Sequence, residues 1–204
     1  VLRRGGTRFF ISGDIMKRIL IAFLCALTTL GSHAASSVAG VTFADTSTVS
    51  GNPLVLNGAG LRKKFFFDVY AAGLYLPAKA SDSSRIISAD VTKRIDITLL
   101  RNVSAENFVA SLQEGLKNNQ DAATLAALKP RMDAFSAILL SLKEAREGQR
   151  YQMDYVPGKG TQLLVDGNPV GDPIAGADFY AALLSVWIGE HPAQTDLKAA
   201  LLGQ

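Results

Sequence analysis

Leu61-Arg62-Lys63-Lys64-Phe65-Phe66-Phe67-Asp68-Val69-Tyr70-Ala71-Ala72-Gly73-Leu74-Tyr75-Leu76 is the stretch on which the fold turns. It reads as extended chain. Its odd positions, among them Phe65, Phe67, Val69, Ala71 and Tyr75, form an apolar face at period two. Its even positions mix Arg62, Lys64, Asp68 and Tyr70 with Phe66, Leu74 and Leu76, and Pro77 stops the run. Upstream, residues 41–43, 46–49 and 53–56 read as strands, with Ser50-Gly51-Asn52 as turn material and Asn57-Gly58-Ala59-Gly60 as a further turn. Downstream, residues 81–87 suit a short helix capped by Ser81 or Asp82, and residues 93–100 a strand in which Ile95, Ile97 and Leu99 alternate with Arg94, Asp96 and Thr98. Ser104 is placed to cap a helix, with Asn107 where a capping box would hold Glu, and Phe108, Leu112 and Leu116 share one face of it. Residues 121–128 and 130–143 read as two more helices. Residues 150–156 and 161–165 form a hairpin around Pro157-Gly158-Lys159-Gly160, and residues 166–169 turn the chain. Residues 178–188 read as a helix ended by a left-handed Gly189, and Thr195 caps the last helix, to Leu202. Strands first, then clustered helices with one hairpin between them, predict an α+β fold: an antiparallel sheet with helices layered on one face.

The N-terminus carries a separate message. Met16-Lys17-Arg18 is basic, residues 19–30 are almost entirely apolar, and Gly31-Ser32-His33-Ala34 closes with small residues. That order is the signature of a secretory signal peptide over residues 16–34, cleaved after Ala34. Its apolar run of about a dozen residues falls short of the ~20 that span a bilayer. The expected product is a periplasmic or secreted domain over residues 35–204 with no stable membrane anchor. Residues 1–15 precede Met16 and read as upstream, non-native sequence. Cys25, the single cysteine, lies in the leader, and Leu24 before it argues against lipidation. The whole chain has 21 Lys+Arg against 18 Asp+Glu, but residues 1–34 hold five of the bases and one of the acids. The remaining domain is close to neutral, and no nucleic-acid partner is expected.

Residues 35–204 hold one histidine, His191, and no cysteine, so a histidine-based triad or multi-histidine metal site is not expected, nor any cofactor. His191 follows Gly189-Glu190 at a helix end and suits a structural role there. Arg62-Lys63-Lys64 is the one basic cluster, followed at once by three aromatics. It reads either as a solvated strand start or as an anion site beside an apolar cavity, since arginine grips carboxylates with two parallel hydrogen bonds.

Leu56-Asn57-Gly58-Ala59-Gly60-Leu61-Arg62, followed by Val69-Tyr70-Ala71-Ala72-Gly73-Leu74-Tyr75-Leu76, resembles the chalcone isomerase superfamily. So does Trp187-Ile188-Gly189-Glu190-His191 followed by Asp196-Leu197-Lys198, and order and spacing agree from about Val41 to Leu202. The pattern is most similar to the exported bacterial chalcone isomerase-like branch. The resemblance implies an antiparallel sheet covered by helices with a cleft between them. In the family, catalytic members close a chalcone to a flavanone, holding it as an anion with an arginine; non-catalytic members bind fatty acids with an arginine and a tyrosine. Carried over by position, the arginine falls on Arg62 and Tyr70 takes the fatty-acid-binder pattern. The family tyrosine falls near Asn107, the asparagine near Glu114, the second threonine on Val186 and its neighbour on Trp187.

These residues are the expected ligand contacts of a non-catalytic protein for a small amphipathic carboxylate such as a fatty acid. An isomerase acting on a chalcone-like or other phenolic substrate, with Arg62 and Tyr70 as its catalytic groups, is the alternative. An accessory protein with a closed cleft is a third reading, and the sequence names no protein partner. One distance is at issue. Arg62 and Tyr70 are eight residues apart, ~26 Å in a straight strand. Either a tight turn forms between Lys63 and Phe66, where three phenylalanines suit a turn poorly, or only one of the two residues reaches the ligand.

Overall fold

The computed structural model describes residues 36–204. The leader expected at 16–34, with Cys25 and His33, and the segment 1–15 lie outside the described residues. The chain opens with a small hairpin, β1 (Ser36–Val38) and β2 (Val41–Phe43). Seven strands then build one antiparallel sheet: β3 (Thr46–Val49), β4 (Asn52–Lys64), β5 (Phe67–Leu76), β6 (Lys93–Leu99), β9 (Arg150–Val156), β10 (Gly160–Val165) and β11 (Asn168–Ile174). Their order across the sheet is β11-β10-β9-β6-β5-β4-β3. A two-stranded ribbon, β7 (Val103–Ser104) with β8 (Glu144–Ala145), brackets the central helices. The helices are α1 (Ser83–Ser88), α2 (Ala105–Asn119), α3 (Ala122–Ser141), α4 (Ala177–Ile188) and α5 (Thr195–Leu201). The predicted α+β architecture is the one observed.

The long run 61–76 is not one strand. Lys64 opposes Phe67, so Phe65-Phe66 is a two-residue hairpin loop between β4 and β5. The other two-residue loops are Ala39-Gly40, Ser50-Gly51 and Asp166-Gly167, each with both residues at positive φ and Gly second. Turn chemistry favours that pattern, and it is what the Phe-Phe loop lacks. Nor is the apolar face on the odd positions alone. Ala72, Leu74 and Leu76 belong to the main core, with Ile95, Ile97, Leu99, Met153 and the helices. Ala71 and Tyr75 face a smaller core with Phe43, Val49, Leu54 and Leu56. Both sides of β5 are covered, so neither parity is polar along its length.

Four further expectations are corrected. Asn57-Gly58-Ala59-Gly60 is not a turn but part of β4, with Asn57 as a bulged extra residue between the pairs Leu56/Tyr75 and Gly58/Leu74. The bulge sends the Asn57 amide into the interior, where it donates to Leu201 O (2.8 Å) and accepts from Ala80 N (2.7 Å). The adjacent glycines let α5 lie on the strand: a Cβ at Gly58 would stand 2.0 Å from Ala200 O. The two helices expected over 121–128 and 130–143 are one, α3, which runs through Pro130. Packing of Leu128, Phe135 and Leu139 on either side of the proline holds it together against a local cost of ~3 kcal/mol. The turn expected over residues 166–169 is confined to Asp166-Gly167, and Asn168-Pro169 already belong to the edge strand β11. Gly189 is not left-handed (φ −68°); a Cβ there would meet Asn119 Oδ1 at 2.3 Å, so it serves close packing.

Lys93 lies on the helix side of β6 at 2 % exposure. Its ammonium donates to the carbonyls of Ile86 (2.7 Å) and Ala89 (2.8 Å), ending α1, and sits 5.6 Å from the ring centre of Tyr180. Burial pulls its pKa down to about 8, with nearby Asp90 opposing the shift. The unfolded chain keeps that proton to about pH 10.4. Between about pH 8 and 10 the unfolded state therefore binds more protons, and stability is expected to rise with pH by on the order of 2 kcal/mol from this group. The Lys93 side-chain resonance is expected to titrate near pH 8; a midpoint above about 10 would remove the effect.

Candidate functional site

The site begins at the far end of the β4–β5 hairpin. Simple pairing outward from the Lys64/Phe67 and Lys63/Asp68 pairs would set Val69 against Arg62. Instead Val69 is an extra, bulged residue, and Tyr70 pairs with Arg62. Bulges of this kind re-aim side chains next to binding sites. The straight-strand separation therefore disappears. Directly opposed residues on one face have Cβ atoms about 5 Å apart, and Arg62 and Tyr70 are such a pair.

The polar contacts around them are few and directional. The Tyr70 hydroxyl oxygen accepts from Trp187 Nε1 at 2.9 Å. Trp187, on the last turn of α4, is buried. Burial raises the Tyr70 pKa above its ordinary value, although the Trp187 hydrogen bond and the Arg62 charge pull the other way. The phenol thus keeps its proton at neutral pH and has an O–H to donate. Arg62 Nη1 donates to the carbonyl of Lys63 and to Gln194 Oε1 (3.3 Å). Gln194 Oε1 also accepts from Lys63 N (2.8 Å), and its amide donates to Leu61 O (3.3 Å). Gln194 is a clip that fastens the chain after α4 to β4 and steadies the guanidinium.

These groups open into a pocket of about 640 Å³ between the sheet, α2 and the end of α4. Arg62, Tyr70, Asn107, Glu114, Val186 and Trp187 all line it, so the structure brings together the whole predicted set. They do not play equal parts. Asn107 and Glu114 are exposed, on the rim face of α2. Val186 is buried and packs so closely on α2 that a Cβ at Gly115 would meet it at 2.6 Å. Phe108 and Leu112 supply the apolar wall, and Ser104 caps α2 by accepting from Asn107 N at 3.2 Å. Among the pocket residues that sequence reasoning did not single out as ligand contacts are Arg101, Phe67 and Ala193, to which Gln194 is added as the clip. His191 stands at the rim, its backbone held to Asn119 by N–H···Oδ1 (2.9 Å) and Nδ2–H···O (2.7 Å) bonds, a structural anchorage.

A cationic inner corner against an apolar wall is suited to an amphipathic anion. Glu114 is the one carboxylate on the lining. Glu114→Gln is therefore expected to tighten binding of an anionic ligand about two- to fivefold at low salt, and less as salt screens it. Affinity titrations at two ionic strengths check this, and a weaker variant would show Glu114 to be a contact rather than a repeller.

The sequence profile described as chalcone isomerase-like matches residues 35–203. The chain belongs to the chalcone isomerase-like family. Among solved structures, the fatty-acid binding protein of Arabidopsis thaliana superimposes with a TM-score of 0.63 at 18% identity, covering 80% of this chain and 92% of that one. At that identity the likeness establishes the fold. No curated protein sequence matches the chain. In this chalcone isomerase-like protein the family sheet and helical layer are both present, with the pocket at their open end.

Proposed function

We propose that this protein binds a small amphipathic carboxylate, of the fatty-acid type, without transforming it. The observation that carries the reading is Arg62 set directly opposite Tyr70 inside a pocket with an apolar wall. A carboxylate there takes the free N–H groups of the guanidinium and the O–H of Tyr70, while its chain lies along Phe108, Leu112 and Val186. Such a pairing of one charged fork with one neutral donor suits a ligand with two acceptor oxygens. The Arabidopsis protein of like fold, a fatty-acid binding protein, supports the same ligand class. A binding role also accords with the lining. Tyr70 holds its proton, its pKa raised by burial, and Val186 stands where the isomerase pattern has a threonine. Phe66 points to solvent at 99% exposure and does not fill the pocket, which argues against a closed accessory fold.

We place this activity outside the cytoplasm, in the periplasm or beyond, on the leader pattern of residues 16–34. Native mass spectrometry of protein recovered from an exporting host tests both parts. A polypeptide mass starting at Ala35 and a co-purified acid of a few hundred daltons are the expected results. A chain that retains Met16 contradicts export. A ligand-free chain that takes up no added long-chain acid contradicts the binding role.

A further inference from the structure

We propose that the tip of the β4–β5 hairpin docks onto an anionic lipid bilayer. Phe65, Phe66 and Phe67 are 85, 99 and 57% exposed. The other phenylalanines of the described residues are Phe43, Phe135 and Phe179, all buried, and Phe108, half-buried. Three consecutive bare rings on a projecting two-residue loop are thus a local departure from how the chain treats this residue type. The loop also departs from its neighbours in the residues it uses. Phe65 takes, at φ 56°, the left-handed conformation that the small or polar Ala39, Ser50 and Asp166 take in the other two-residue loops; it costs a bulky side chain more, and no positive-φ glycine follows it. An unfavourable turn at the most exposed point points to a role for the rings in solvent-facing contact.

Charge identifies the partner. Lys63 and Lys64 are exposed beside the rings, Arg62 follows them inward, and the Arg101 guanidinium lies 4.4 Å from the centre of the Phe67 ring. One carboxylate, Asp68, offsets them, paired with Lys63 at 3.4 Å. The domain is otherwise close to neutral, so this end carries a concentrated positive field. Aromatic rings that enter the boundary between headgroups and hydrocarbon, ringed by cations that meet lipid phosphates, match an anionic membrane surface. Each basic residue near such a surface raises partitioning roughly fivefold.

The tip also borders the pocket, since Lys64, Phe65, Phe67 and Arg101 line it. Docking would turn the pocket mouth toward the bilayer and let an amphipathic acid pass from lipid to Arg62 without crossing bulk water. That last step rests on the proposed ligand; the docking does not.

The test uses the protein recovered from the exporting host, starting at Ala35, and vesicles of phosphatidylcholine alone or with 30% phosphatidylglycerol, added at about that fraction to set the surface charge. Wild type is expected to sediment with the anionic vesicles at least tenfold more readily than with neutral ones, and less in high salt. Lys63→Gln/Phe66→Ser, whose two sites are exposed and outside the pocket lining, is expected to lose at least tenfold with its melting temperature within a few degrees of wild type, the exposed Lys63–Asp68 pair being worth little. Phe66→Trp is expected to show a blue-shifted emission quenched by brominated lipid, against the buried Trp187 as baseline. Equal partitioning of wild type and the double variant overturns the proposal. So does vesicle binding in which residue 66 stays unquenched, or a wild type that ignores both vesicles. Acid binding measured without vesicles separates the two readings: a wild type that docks but takes no acid defeats the ligand proposal and leaves the docking standing.

Discussion

Arg62→Ala is expected to weaken binding of a long-chain carboxylate about 10- to 100-fold, the range for removing hydrogen bonds from a charged donor. The fold should be nearly untouched, with a thermal midpoint within about 2 °C of wild type. Arg62 is only half-buried, and its side-chain hydrogen bonds go to the Lys63 carbonyl and to Gln194 Oε1 at 3.3 Å. Strand pairing at this position is backbone to backbone and does not use the side chain. Arg62→Lys keeps the charge but loses the planar fork, so an intermediate loss is expected. Isothermal titration of the two variants checks the order. If the alanine variant binds as tightly as wild type, the carboxylate is held elsewhere and the pocket is not an anion site.

Arg94→Ala carries the largest expected cost to stability, about 3–5 kcal/mol, or roughly 10 °C in the midpoint for a domain of this size. Arg94 and Asp154 meet through paired bonds of 2.5 and 2.6 Å on the side of the sheet away from the helices, with side chains only 10 and 9% exposed. Arg94 also donates to Ser47 Oγ at 2.7 Å. Removing it strands a carboxylate in a dry setting. Burial, with a smaller push from Asp96, already moves the Asp154 pKa up while Arg94 pulls it down, and in the variant only the weaker Arg150 charge still opposes the rise. A folded pKa raised above the unfolded value favours folding at low pH and loses that contribution as pH rises. The variant should therefore be penalised less at about pH 5 than at pH 8. Arg94→Met/Asp154→Leu should recover most of the loss, because it removes both charges together. Denaturant melts decide it, and a cost under about 1 kcal/mol would mean the pair is screened by solvent.

Much of this was legible in the residues, and the parts that were not share a cause. Alternation in residues 93–99, the hairpin of residues 150–156 and 161–165, the Ser104 cap and the α2 stripe all act locally, and all stand in the structure. The family pattern picked out six residues that do meet around one pocket. Phe65-Phe66 was hard to read as a turn because none of the usual loop residues is there; pairing on both sides imposes it. Asn57-Gly58-Ala59-Gly60 carries turn composition, yet its glycines answer a helix almost 140 residues further on, which no local rule detects. Pro130 should end a helix by propensity, and tertiary packing overrides it. Gln194 lies outside any motif, and its role exists only because the chain after α4 returns to β4.

The order of strands has a kinetic consequence. The sheet is two separate meanders, β3 to β6 and β9 to β11, each made of neighbours in sequence and each able to zip locally. They join only where β6 pairs with β9, across the helical excursion of residues 100–149. Closing that long loop is the slow, entropically costly event of assembly. The ion pairs Arg94–Asp154 and Arg150–Asp96 span this seam. Because they form only once the halves have met, removing Arg94 should quicken unfolding far more than it slows folding. A chevron plot in which the folding limb carries most of the change would instead place the seam in the folding nucleus. On the expected outcome, the buried charges act as a latch that sets how long the two meanders stay closed, with little part in bringing them together.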